Sequence, residues 1–223
     1  MKNNLTELVF ILDRSGSMGG LETDTIGGFN SLLEKQRKEE GEALMTTVLF
    51  DDQYELLHDR VNLKGVSPLT EKEYYTRGST ALLDALGQTI NKIGDAHKHT
   101  RPEECPGKTM VVVITDGYEN ASSEFSPRQI KHMVQLEQEK YHWEFLFIGA
   151  NIDAITAAKD LGIRADRAVN YMHDAQGQRK CYEAVGEAAR CMRVEGCLSE
   201  DEWRREVDRD YRVRGGPKHR IKK

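Results

Sequence analysis

Two stretches of unbroken apolar residues, Leu8-Val9-Phe10-Ile11-Leu12 and Met110-Val111-Val112-Val113-Ile114, end at an aspartate, the first directly at Asp13 and the second through Thr115 at Asp116, each followed by a glycine-containing turn. A continuous apolar run without alternation predicts a strand covered on both faces, as in a parallel sheet between helices. Its last residues then fall at the carboxyl edge of the sheet, where open α/β folds place their ligands. Leu44 to Phe50 and Tyr54 to Val61, separated by Asp51-Asp52-Gln53, predict a hairpin. Trp143 to Ile148 reads as a further strand, and Ala168 to Tyr171 as the last.

Between these runs the period changes to that of helices. Ile26, Phe29 and Leu33 form one apolar stripe, with Thr23 or Asp24 as the cap, and Gly27 and Gly28 are expected to let the helix start pack closely on the sheet. Leu82, Leu83, Leu86, Ile90 and Ile93 form a second stripe, which Ser79 or Thr80 would cap. Asn62 to Gly78 reads as a loop with one helical turn, and His97 to Lys108, broken by Pro102 and Pro106, as a polar surface loop. Ser126-Pro127-Arg128-Gln129 is a capping box with proline at the first helical position. Asp153 caps a short helix that Gly162 ends, and Tyr182, Val185, Ala189 and Met192 mark a longer one from Asp174. Ser199 with Glu202 forms another capping box, opening a short helix to about Arg209 before Arg214-Gly215-Gly216-Pro217. Strands alternating with helices after the hairpin specify an α/β fold with a doubly wound, mostly parallel sheet and helices on both faces. We expect one domain over 1–195, then a short helix and basic tail over 196–223.

Composition narrows the class. With 223 residues, 38% hydrophobic and 31% charged, the chain reads as one soluble domain with an appendage. The first twelve residues lack the apolar core and cleavage site of a signal peptide, no run reaches membrane-spanning length, and the expected location is the cytoplasm. Cys105, Cys181, Cys191 and Cys197 show no C-x-x-C spacing and are expected as reduced thiols. Net charge is −5, yet residues 204–223 hold nine Lys or Arg against three Asp or Glu, so the body is acidic and the tail basic. An acidic body argues against nucleic acid as a partner.

Chemistry gathers at three places. Asp13, Ser15 and Ser17 sit two apart, so their oxygens can face one side while Gly16, Gly19 and Gly20 allow close backbone approach. Arg77-Gly78-Ser79-Thr80 precedes a helix, and Asp116-Gly117 ends the second apolar strand. Together these segments resemble the von Willebrand factor A family and its metal-ion-dependent adhesion site, over roughly residues 5 to 170. The resemblance implies about six strands with one antiparallel edge strand. It also implies a Mg²⁺ or Mn²⁺ ion touched directly by Ser15, Ser17 and, in one state, Thr80, with Asp13 and Asp116 acting through bound waters.

Neutral hydroxyls would leave such a cation electron-poor and able to recruit an outside carboxylate. The expected function is therefore not enzymatic: a metal-dependent binding module, or adaptor, for a protein presenting Glu or Asp. Intracellular relatives suggest an ATPase or a stress or defence complex as partner. Arg14, Met18, Tyr118, Glu119 and Asn120 flank the loops and are candidates to read it. Two other readings compete. A metal-dependent phosphatase or phosphotransferase would need a base for Ser15 that no motif supplies, and a metal-free scaffold would rely on the charged surface alone. His97, His99 and Cys105 lack a fourth ligand for zinc.

Overall fold

The computed structural model describes residues 2–198 and 201–215. A six-stranded sheet runs in the order β3-β2-β1-β4-β5-β6, formed by Lys2–Asp13 (β1), Glu42–Phe50 (β2), Tyr54–Asn62 (β3), Pro106–Thr115 (β4), Glu144–Gly149 (β5) and Ala168–Asn170 (β6). Only β3 is antiparallel, pairing with β2 through the expected hairpin, while β2, β1, β4, β5 and β6 run parallel. The register pairs Leu12 with both Leu49 and Ile114, so the three central strands end level with one another.

Side chains alternate across the sheet with period two, and each face has its own core. Leu8, Phe10 and Leu12 point to one side, against helices Glu22–Lys38 (α1) and Ala175–Val194 (α5). Val9 and Ile11 point to the other, against Leu82–His99 (α2), Pro127–Tyr141 (α3) and Ala154–Asp160 (α4). Burial on both faces is why these strands carry no alternation in sequence.

Local signals act largely as read. Ser126 and Gln129 close a reciprocal capping box, Asp153 accepts from Thr156 N–H, Asp174 accepts from Gly177 N–H, and Gly162 ends α4 at φ +82°. Others differ. The first helix begins at Glu22 with no side-chain cap. A Cβ on Gly28 would lie 2.2 Å from the Tyr182 ring, so this glycine brings α1 against α5 rather than against the sheet. The interval expected as loop from His97 is shorter, because α2 runs to His99 and β4 starts at Pro106, at the strand's first position where a missing N–H is tolerated.

Past Cys197, helix Arg205–Val213 (α6) follows a 3₁₀ turn, and Ser199 of the expected capping box lies outside the described residues. Trp203 and Val207 are buried in the core of the α1–α5 side. Trp203 Nε1 donates to Asp166 O at 3.1 Å, and Arg204 donates to Ala168 O at 2.8 Å. Among the described residues no helix is long and apolar enough to cross a membrane.

Candidate metal centre

Asp13 is the last residue of β1, and its side chain is only 1% exposed. Oδ1 accepts from Ser15 N–H at 2.7 Å and Oδ2 from the Thr115 hydroxyl at 2.5 Å, while its carbonyl accepts from Tyr74 OH at 2.6 Å. These partners tie the ends of β1 and β4 together. Burial pushes the Asp13 carboxyl up to about 6, against the opposing pull of the Thr115 and Ser15 hydrogen bonds.

The first loop then makes a 3₁₀ turn over Gly16–Met18, which lifts Ser17 to the surface. Ser15 Oγ and Ser17 Oγ lie 3.0 Å apart, and Ser17 Oγ donates to Asp116 Oδ1 at 2.5 Å. Gly16 N–H donates to Gly78 O and Arg77 N–H to Arg14 O, stitching this loop to the one carrying Thr80. A Cβ on Gly117 would lie 3.2 Å from both Ser17 Oγ and Thr80 Oγ1, so the two hydroxyls meet over a residue that has no side chain. Asp13, Ser15, Ser17, Thr80 and Asp116 are thus gathered at one corner of the sheet's carboxyl edge.

Neither Ser79 nor Thr80 caps α2, contrary to expectation. Glu119 Oε2 accepts from Leu83 N–H and Ser122 Oγ from Asp84 N–H, so the loop after β4 supplies the cap and Thr80's hydroxyl stays turned to the site. Two of the proposed partner-reading residues have internal work as well. Glu119 is engaged in the cap, and Asn120 Oδ1 accepts from Thr80 N–H at 2.9 Å. Arg14 and Met18 are buried, Arg14 Nε donating to Asp51 at 3.0 Å. Tyr118, 63% exposed, faces solvent without such a bond among the described residues, and Asn120 is exposed as well.

Asp51 is more than a turn residue. Its Oδ1 accepts from Gln53 N–H, and its Oδ2 takes Arg14 Nε and Arg77 Nε. Burial alone would raise its carboxyl, but the Arg77 hydrogen bond, the Gln53 N–H and the two guanidinium charges outweigh that and hold it below its usual range. At the opposite edge of the sheet, His97 Nε2 lies 2.9 Å from Glu7 and His99 Nδ1 donates to Asp95 O. These histidines have partners other than a metal. His97 lines a cavity of about 570 Å³ together with Cys105, Tyr141 and Trp143.

No motif in the sequence singles out His173, yet it reaches this corner. Its Nε2 lies 2.8 Å from Asp116 Oδ2. The signal was its place, just after the last strand and therefore at the edge where β1 and β4 deliver their acids. Burial raises the Asp116 carboxyl, with the Ser17 hydroxyl and His173 opposing. Among the described residues no three His, Cys, Asp or Glu side chains stand close enough to hold an ion by themselves. An ion at this corner would draw on the hydroxyls.

No family model matches the chain, and no curated protein matches it in sequence. Solved structures do match. The von Willebrand factor domain of the type V pili tip protein Mfa5 from Porphyromonas gingivalis aligns at TM-score 0.60 and 9% identity, over 90% of this chain and all of that one. The fold is that of a von Willebrand factor A domain. A von Willebrand factor type A protein from Catenulispora acidiphila aligns at TM-score 0.57 and 16% identity, over 85% of this chain and 43% of that one. Proximal thread matrix protein 1 from the mussel byssus, with zinc in its MIDAS motif, aligns at TM-score 0.57 and 17% identity, over 85% and 47%. The chain spans about half the length of that mussel protein.

Proposed function

We propose that this von Willebrand factor A domain is a metal-dependent protein-binding module, an adaptor rather than an enzyme. A divalent cation, Mg²⁺ or Mn²⁺ on the strength of the oxygen donors, would be held by Asp13, Ser15, Ser17, Thr80 and Asp116. The residues fit such an ion. Three neutral hydroxyls and two carboxylates raised by burial share one corner, and Gly117 leaves open the space that a side chain would fill. Hard cations prefer such oxygens and retain several waters, one of which a carboxylate can replace.

The observation that carries this reading is the convergence of Ser17 Oγ on Ser15 of its own loop and on Asp116, ninety-nine residues away. Zinc in the corresponding motif of the mussel neighbour supports it. A hydrolytic role has less support, since the Ser15 hydroxyl pairs with Ser17 and not with a base. The partner would present Glu or Asp. Its membership of an ATPase, stress or defence complex follows from the family resemblance alone.

The test is calorimetric titration of Mn²⁺ into the chelator-stripped chain and into Asp13→Ala. One site in the former and none in the latter is the expected result. The Mn²⁺-loaded protein should then lose water-proton relaxation enhancement as acetate is added. Absence of Mn²⁺ binding overturns the site, and binding indifferent to acetate overturns the carboxylate bridge.

A further inference from the structure

Asp116 uses its two oxygens differently. Oδ1 accepts from Ser17, while Oδ2 faces His173 Nε2 at 2.8 Å. Both Oδ2 and Nε2 are buried, neither makes a well-aligned hydrogen bond, and the contact is an ion pair only when the imidazole is protonated. In the neutral imidazole with its proton on Nδ1, Nε2 and Oδ2 turn lone pairs on one space, an arrangement a cation completes.

The imidazole is held there from both sides. Ahead of it, Tyr171 N–H donates to Gly149 O at the end of β5. Behind it, Asp174 caps α5 through Gly177 N–H and takes Arg214 Nη1 at 2.6 Å. Gly177 is part of the same fastening, because a Cβ there would come 1.9 Å from Met172 O and force the turn away. Loop 171–174 therefore delivers His173 across β5 to the acid that follows β4.

The geometry points to His173 as a nitrogen donor to the ion held at Asp116, turning an all-oxygen site into a mixed one that prefers Zn²⁺ or Co²⁺ to Mg²⁺. Imidazole suits borderline transition metals, whereas carboxylate, hydroxyl and water suit Mg²⁺. The inference rests on the proposed metal site and adds the selectivity of its cation.

The full chain, stripped with EDTA, is titrated with Mg²⁺ and separately with Zn²⁺, beside His173→Asn, His173→Gln and Asp13→Ala. Wild type should bind Zn²⁺ more tightly than Mg²⁺. Both His173 variants should keep their Mg²⁺ affinity and lose at least on the order of ten- to a hundredfold in Zn²⁺ affinity, which is what removing even an outer-shell partner of a metal ligand costs. In Co²⁺-loaded wild type, an imidazole N–H proton should shift far outside the normal NMR range, and this resonance should be missing from the variants. Equal loss of both metals, loss of neither, a shifted resonance absent from wild type, or a Zn²⁺ preference that survives Asp13→Ala each overturns the inference while Mg²⁺ binding leaves the site standing. If wild type binds neither ion, the site itself fails.

Discussion

Glu7 and Asp13 lie on the same strand and are both buried, yet their surroundings differ in kind. Glu7 accepts from Arg60 Nε at 2.8 Å and faces His97 Nε2 at 2.9 Å. Asp51, level with the end of β1, is likewise held by Arg14 and Arg77. The Asp13 carboxylate accepts only from an amide and a hydroxyl, and no Lys or Arg pairs with it among the described residues. Taking a charge out of water costs several kcal/mol unless an opposite charge compensates. The fold supplies that compensation at Glu7 and Asp51 and withholds it at Asp13, which is what separates an acid that holds the sheet together from one arranged for a cation.

The contrast is broken most severely by removing Glu7. Glu7→Ala should destabilise the protein by about 3–5 kcal/mol in urea unfolding, since it leaves Arg60 and His97 facing an empty buried position. A loss below about 1 kcal/mol would mean that water already reaches the pair, and the comparison would collapse. Asp13→Asn should act the other way in chelator at neutral pH. It removes an uncompensated charge, so stability should hold or rise by up to about 3 kcal/mol, while Mn²⁺ binding disappears. Destabilisation matching that of Glu7→Ala would show Asp13 to be structural.

The pH dependence sharpens the same point. A carboxyl raised to about 6 in the fold keeps its proton where the unfolded chain, at about 3.9, has released it. The stability it contributes is present below about pH 4 and is lost as pH rises through about 6. In chelator, wild type measured against Asp13→Asn should therefore decline by the order of 2 kcal/mol between pH 4 and pH 7. A flat difference would place the carboxyl in solvent. The smallest effect belongs to Arg77→Ala: a side chain 37% exposed, with Arg14 still on Asp51, should cost no more than about 1 kcal/mol.

The strands and their doubly wound order were legible because β1 and β4 are buried on both faces, and unbroken apolar runs are the direct consequence. Asp13 and Asp116 could be picked out because each ends such a run. What sequence could not give was sharing between distant loops. The cap of α2 comes from Glu119 and Ser122, thirty-six and thirty-eight residues from the N–H groups they accept, where local spacing favours Ser79 or Thr80. Arg14 looks like a surface residue of a glycine-rich turn until β2 places Asp51 beside it. His173 meets Asp116 only because β6 lies next but one to β4 in the sheet.

The stitching between the second and third loops sets how this corner can move. Thr80 O accepts from both Asn120 and Ala121 N–H, Thr80 N–H returns a bond to Asn120, and Leu83 N–H is anchored on Glu119. Thr80 and the segment after Asp116 therefore travel as a single body with the start of α2. Gly16 is tied to Gly78 as well and Ser15 is buried on Asp13, so adjustment to an ion's size is expected of the exposed Ser17, the jaw that closes on the threonine's anvil.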